Sequence, residues 1–271
     1  MAEHESNLTE EEKQQVEDHA APPAKVVHAA VSKQGSDELK RPAGSLFWSA
    51  VAAGVAIMAS LWVSGALHHY TPAAPWRDAV VALGYPVGFM IVVLGRMQLF
   101  TEQTVVAILP FARHKSWHRF TRVARLWALV LLGNLVGAAA VAALAAFGRV
   151  QPDEVLRGMI AVAARLQEHT AIETFWLAIP AGFIMAAVAW VHSAEDQIGP
   201  SIVLVLTLAI GLGGFAHVVV GAAEAWLLLW TGHAGPGWVL GGFILPALLG
   251  NIVGGTGLFA VLVHAQVKDE M

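Results

Sequence analysis

The sequence contains no cysteine among its 271 residues. That absence excludes disulfide frameworks, thiolate metal centres, iron–sulfur clusters and cysteine nucleophiles together. Charge is also scarce: Asp, Glu, Lys and Arg make up 13% of the chain, against about 25% in an ordinary soluble domain. What charge there is falls unevenly. Met1–Arg41 holds nine acidic and five basic residues, whereas the 43 residues of Ala225–Val267 hold none. HExxH and GxSxG patterns are missing too, so neither a metalloprotease nor a serine hydrolase is expected. A formal charge of -4 leaves no footprint for nucleic acid. With 56% hydrophobic residues, the composition excludes a soluble two-domain enzyme and points to lipid.

A helix needs about 20 apolar residues to cross a hydrocarbon core of about 30 Å. Leu46–Leu67, Leu126–Gly148 and Thr174–Ala194 meet that directly. Two further regions are interrupted. Ala79–Gly95 is followed by Arg96 and by polar Gln98, Thr101, Glu102, Gln103 and Thr104 before apolar sequence resumes at Val105–Ala112. Ile198–Trp230 runs through Gly211-Leu212-Gly213-Gly214 and carries His217 and Glu224. Each reads as one span broken in the middle. Trp238–Val267 completes six spans of an all-α polytopic membrane protein. Residues 1–41 then form a polar tail, 42–267 the transmembrane domain and 268–271 a short end. The first apolar run begins only near Leu46, so no cleavable signal peptide is expected.

Basic residues orient the spans. The amino tail, the second connection (Arg113, Lys115, Arg119, Arg122, Arg125) and Lys268 together hold 11 of the 16 Lys and Arg residues. Six spans put all of them on one side, which predicts both termini in the cytoplasm. Trp76, Trp117, Trp176, Trp190, Trp230 and Trp238 fall near span ends, as an interfacial belt requires. In the tail, Thr9-Glu10-Glu11-Glu12 is a helix-start pattern before a Pro22-Pro23 break, and reads as a short helix or a free arm. Gln151–Gln167 has the spacing of an amphipathic helix lying at the outer interface.

Leu132-Gly133-Asn134-Leu135-Val136-Gly137-Ala138 recurs as Leu249-Gly250-Asn251-Ile252-Val253-Gly254-Gly255, an offset of 117 residues. Thr101 lies 116 residues before His217. Repeats of about 42–148 and 171–267 therefore each contain three spans, and an odd number turns the second upside down relative to the first. The half-helix amino ends near Thr101 and Phe215 then face the membrane centre from opposite sides. Each carries about half a positive charge and unpaired N–H groups, an arrangement suited to an anion. Thr101 is expected to cap one half helix, with Glu102 in its first turn.

His217, an intramembrane histidine beside a helix start, marks a functional site. Arg96 reads equally as the cation closing the preceding half helix and as an attractor of anions. Glu224, two turns beyond His217, is open to pairing with Arg96, to proton relay, or to an ion pair in the outer vestibule. Asn134 and Asn251 suit hydrogen bonding to broken backbone, and Gly133, Gly137, Gly250 and Gly254 suit close helix packing. None of these residues calls for a metal or cofactor.

These residues resemble the formate/nitrite transporter family, and within it the YfdC-like branch. Leu99-Phe100-Thr101, Gly214-Phe215 with His217, and Asn251 carry the resemblance, with Arg41-Pro42, Leu46-Phe47-Trp48-Ser49 and Val93-Leu94-Gly95-Arg96 marking the branch. The likeness extends from about Lys40 to Val267. It implies a homopentamer of aquaporin-like protomers in a bacterial inner membrane, each with its own pore for small monovalent anions or their acids. It carries Thr101, His217 and Asn251 over as the polar site of the pore. It puts Tyr85, Phe89 and Ile210 at apolar constrictions. The chain departs from the typical pattern at Ala216, where the family has glutamate, at Gln98, where it has an acid, and at Gly221, where it has asparagine. Pro86 in the constriction region and Arg96 depart as well. The sequence thus predicts a channel for weak-acid anions, with Arg96, Glu102 and Glu224 as electrostatic modifiers. Proton coupling, and whether His217 donates, relays or only polarises, stay open. A neutral-solute pore is the alternative within transport, and a membrane enzyme or scaffold the alternative outside it.

Overall fold

The computed structural model describes residues 8–12, 22–113, 115–194 and 199–270. We number its helices α1 (Ala24–Glu38), α2 (Ala43–Tyr70), α3 (Arg77–Leu94), α4 (Phe100–Val106), α5 (Ile108–Arg113), α6 (Trp117–Phe147), α7 (Asp153–Ala164), α8 (Ala171–Ala194), α9 (Gly199–Leu212), α10 (Val218–Trp230) and α11 (Trp238–Glu270). No strand occurs among the described residues. Five of these helices are long and apolar enough to cross a bilayer, and α9 with α10 supply a further crossing as two shorter apolar pieces.

Both expected breaks are present, and they are built alike. Helix α3 ends in a turn where Arg96 takes a left-handed φ of 52° and Met97 N–H reaches back to Val92 O at 2.9 Å. Helix α9 ends in the same way, with Gly214 at φ 62° and Phe215 N–H bonded to Ile210 O at 3.1 Å. Such a six-residue closing loop satisfies carbonyls at a helix end and needs a left-handed residue. Only the second copy uses glycine for it.

Small residues let the mirrored helix pairs touch through their backbones. In the first repeat α6 packs along α2, and in the second α11 packs along α8. A Cβ placed on Gly133 or Gly137 would lie 2.8 and 2.2 Å from the carbonyls of Phe47 and Val51. One placed on Gly250 or Gly254 would lie 2.3 and 2.0 Å from Phe175 O and Ile179 O. The glycines expected to allow close packing do so at equivalent places in both halves.

Two regions differ from the sequence reading. Helix α7 is amphipathic as expected, but it buries its apolar face (Val155, Met159, Ala163) in protein, against α2 and α10. Gly158 makes this approach possible, since a Cβ there would fall 2.1 Å from Gly65 O. The tail is also less free than a polar arm. Helix α1 docks on α5, α8 and α11 and buries Val27, His28 and Val31. Thr9 and Glu12 form the reciprocal caps of the expected helix start: Thr9 N–H donates to Glu12 Oε2 at 2.7 Å and Glu12 N–H to Thr9 Oγ1 at 3.2 Å.

Candidate functional site

At each break one asparagine holds the chain open. Asn134 on α6 accepts from Phe100 N–H at 2.9 Å and donates its amide to Ala50 O and Gln98 O, both at 2.8 Å. Asn251 on α11 accepts from Val218 N–H at 2.9 Å and donates to Ala178 O at 2.8 Å and Ala216 O at 2.9 Å. Both are fully buried. A side-chain amide offers a carbonyl and two N–H donors; here the carbonyl and one N–H serve backbone groups at the break that helix geometry leaves unpaired, and the other N–H ties the break to a carbonyl within a neighbouring helix, Ala50 O on α2 or Ala178 O on α8. The amino end of α4 is thus satisfied by Asn134 rather than by Thr101.

Freed from capping, Thr101 turns its hydroxyl to the opposite half of the molecule. Its Oγ1 lies 2.7 Å from His217 Nε2. His217 caps α10, with Nδ1 accepting the N–H groups of Val219 and Val220 at 3.3 Å each. A neutral imidazole has one donor and one acceptor nitrogen. With Nδ1 accepting, the proton belongs on Nε2, where it is donated to Thr101, and the threonine O–H remains available to a further acceptor. Thr101 is fully buried and His217 is 2% exposed. Phe89 closes over the imidazole edge-on at 4.9 Å between ring centres, and Tyr85 lies tilted against Phe89 at 5.3 Å.

A cavity opens on each side of this buried pair. One, of 360 Å³, is lined by Arg96, Gln98, Glu102 and Gln103 at the first break, by His192 on α8 and by Gln34 and Glu38 on α1. The other, of 280 Å³, is lined by Tyr85, Ile210, Phe215 and Glu224 with Ser60, Arg165 and His169. Arg96 and Glu224 therefore border different cavities, and the pairing between them that the sequence allowed is not formed. Arg165 instead makes an ion pair with Asp78 at the rim of the second cavity. Among the expected constriction residues, Tyr85 and Ile210 border this same cavity, while Phe89 sits deeper against His217. The contributions of α1, His192 and Arg165 were not anticipated. Arg165 falls in the stretch whose spacing predicts an outer interfacial helix, and no local pattern marks His192. Among the described residues no group of three or more His, Asp or Glu side chains is placed to hold a metal ion.

The geometry agrees with what the chain is similar to. A sequence model of the family described as formate/nitrite transporter matches residues 25–265. The inner membrane protein YfdC of Escherichia coli (strain K12) is 34% identical over 255 residues, 94% of this chain and 82% of that protein. The formate channel FocA of Haemophilus influenzae is 26% identical over 242 residues, 80% of this chain and 84% of its own. Among solved structures, an FNT family ion channel superposes with a TM-score of 0.75 at 18% identity, covering 90% of this chain and 98% of the other. A pentameric formate channel with formate bound superposes with a TM-score of 0.69 at 20% identity, covering 83% and 97%. With six spans, two of them broken in inverted repeats, and a family match running over nearly its whole length, this chain belongs to the formate/nitrite transporter family of membrane channels and transporters.

Proposed function

We propose that the chain is a pore for small monovalent weak acids of formate or nitrite size, which cross its buried centre with their charge neutralised. The observation that carries this reading is the Thr101–His217 bond, made where two half-helix amino ends converge between two cavities. The two amino ends favour negative charge. The space between the cavities is apolar, with Phe89 against the imidazole. Desolvation on the way in raises the pKa of an acid's anion, so protonation accompanies entry. Thr101 O–H is the hydrogen-bond donor that holds the solute's oxygen there, and the Nε2–H that His217 gives to Thr101 orients it. Arg96 draws the anion into one cavity, and Glu102 and Glu224 set the field on either side. Tyr85, Phe89 and Ile210 form the apolar barrier that keeps bulk water from joining the cavities.

Assembly and placement follow from the same reading. Five copies, each with its own pore, are suggested by the pentameric formate channel on which the protomer superposes. Both termini face the cytoplasm, because 11 of 16 basic residues then lie on that side. Flux assays in proteoliposomes with formate, nitrite, acetate, lactate and hydrosulfide test the function. Formate and nitrite are expected to pass faster than lactate, and faster as the external pH falls. Water permeation with no weak-acid flux above protein-free vesicles would replace this reading by a neutral-solute pore.

A further inference from the structure

Helices α5 and α6 meet at an open hollow of 420 Å³ lined by Phe111, Lys115, Ser116, Trp117 and Phe120. Its walls are aromatic and face outward. Trp117 is 77% exposed and stacks on Phe120, ring centres 5.3 Å apart and planes 27° apart. Phe111 closes the far side at 6.3 Å from Phe120. Below Trp117 the same face of α6 continues through exposed Thr121, Ala124, Ala128 and Leu132. The i, i+4 and i, i+3 steps between them keep these residues on one stripe. Alanines at 124 and 128 keep that stripe low.

Lys115 lines the hollow, and the chain around it is strongly basic. Arg113, Lys115, Arg119, Arg122 and Arg125 fall within 13 residues, and no Asp or Glu occurs between Glu102 and Asp153. Arg119 is held in place, its Nη1 donating to Pro110 O at 2.9 Å beside Phe111. An exposed aromatic hollow at a helix end, lined by Lys115, carried on a basic connection and continuous with an exposed apolar stripe, matches a ligand with an anionic head and an apolar tail. We propose that this hollow is a binding site for an anionic phospholipid. The lipid's phosphate lies among Lys115 and the neighbouring arginines, its glycerol region against Trp117 and Phe120, and one acyl chain along Ala124 and Ala128. Each cation near an anionic lipid surface contributes enough for about a fivefold change in affinity. Zwitterionic lipids present the same chains without the net charge and bind less well.

The test uses the full chain purified in detergent and titrated with dioleoyl phosphatidylglycerol or dioleoyl phosphatidylcholine, with bound lipid read by native mass spectrometry and Tm measured in parallel. The wild type is expected to retain phosphatidylglycerol in preference to phosphatidylcholine. Lys115→Glu should lower that preference by an order of magnitude, since it removes one cation and adds an anion. Trp117→Ala should weaken both lipids while leaving the ratio unchanged. Both substitutions are at exposed positions, so elution and lipid-free Tm should stay at wild-type values. Equal retention of the two lipids by the wild type, or an unchanged ratio in Lys115→Glu, would overturn the proposal. A third arm covers the other occupant. Because the chain has no cysteine, Trp117→Cys introduces a single thiol, and efficient cross-linking between copies through it would assign the hollow to a protomer interface and overturn the lipid site.

Discussion

Asn134 and Asn251 make the same three hydrogen bonds in opposite halves of the molecule, each accepting one N–H from the start of a half helix and donating to two carbonyls. Neither carries out chemistry on a solute through these bonds. Their amides fix where the two half helices begin, and thereby where Thr101 and His217 meet.

Replacing either asparagine by alanine should therefore cost stability before it alters selectivity. Each substitution strands one buried N–H and one carbonyl at the break, Phe100 N–H with Gln98 O or Val218 N–H with Ala216 O, and an unsatisfied buried group costs about 1–3 kcal/mol. A total of about 3 kcal/mol or more lowers Tm by roughly 6–12 °C in a chain of this size. Thermal unfolding of detergent-solubilised Asn134→Ala and Asn251→Ala should show similar falls. A Tm within a degree of wild type for either would mean that water replaces the amide and that the break stands without it.

The glycines make a second, sharper expectation. Gly254→Ala places a Cβ 2.0 Å from Ile179 O, and Gly137→Ala places one 2.2 Å from Val51 O, so in each case two backbones must separate. Gly241→Ala meets open space within α11, and there alanine gains about 0.5–1 kcal/mol of helix preference. Size-exclusion profiles should show aggregation or loss of assembly for the first two and a normal peak for the third. Normal assembly of Gly254→Ala would show that α8 and α11 have slack at that crossing.

Much of this arrangement was legible in the sequence. The repeated Leu-Gly-Asn segment fixed the offset, the interrupted spans fixed the breaks, and the same offset paired Thr101 with His217. Local pattern could not settle which oxygen caps which half helix, because Asn134 reaches Phe100 from 34 residues away. It also could not show that α7 lies on protein rather than lipid. An amphipathic face looks the same against either partner, and only the Gly65–Gly158 approach distinguishes them. The docking of α1 escaped for a related reason: its mean character is polar, and of its five buried residues only Val27 and Val31 are apolar in the ordinary sense, beside His28, Ser32 and Gly35.

Docking of α1 should depend on pH through His28. This ring is fully buried, 3.2 Å from His264 through Nε2 and Nδ1, and edge-on to Trp190 at 6.3 Å. Burial first, then the neighbouring His264 and Arg113, holds its pKa below the ordinary value of 6.5. The undocked histidine then binds a proton more readily than the docked one. Docking is at full strength above about pH 6.5 and weakens as the pH falls below it. Amide exchange over Ala24–Glu38, corrected for intrinsic rates, should show less protection at pH 5.5 than at pH 8. His28→Leu, which removes the titrating group, should flatten that difference. Equal protection at both pH values in the wild type would rule the mechanism out.

The pH dependence of flux should, by contrast, survive the loss of the His217 imidazole. Nδ1 accepts two backbone N–H groups, so a proton added there would break both cap bonds at the start of α10. The neutral ring can only lend its Nε2–H to Thr101, which makes it a hydrogen-bonding group rather than a net source of protons. Asparagine is itself a good helix cap. Its Oδ1 accepts from the same backbone, and its amide N–H can be donated towards Thr101. His217→Asn should thus assemble normally, retain flux within several-fold of wild type, and keep the same rise in weak-acid flux from pH 8 to pH 5, because the substrate supplies the titration. His217→Ala removes both cap and donor, and flux should fall on the order of tenfold, since the loss of a hydrogen bond to a buried polar group costs about 1–3 kcal/mol. Thr101→Val, similar in shape but without the hydroxyl, should reproduce that fall with assembly intact. A flat flux–pH profile in His217→Asn, for a permeant whose wild-type flux rises on acidification, would show that the imidazole itself carries the proton.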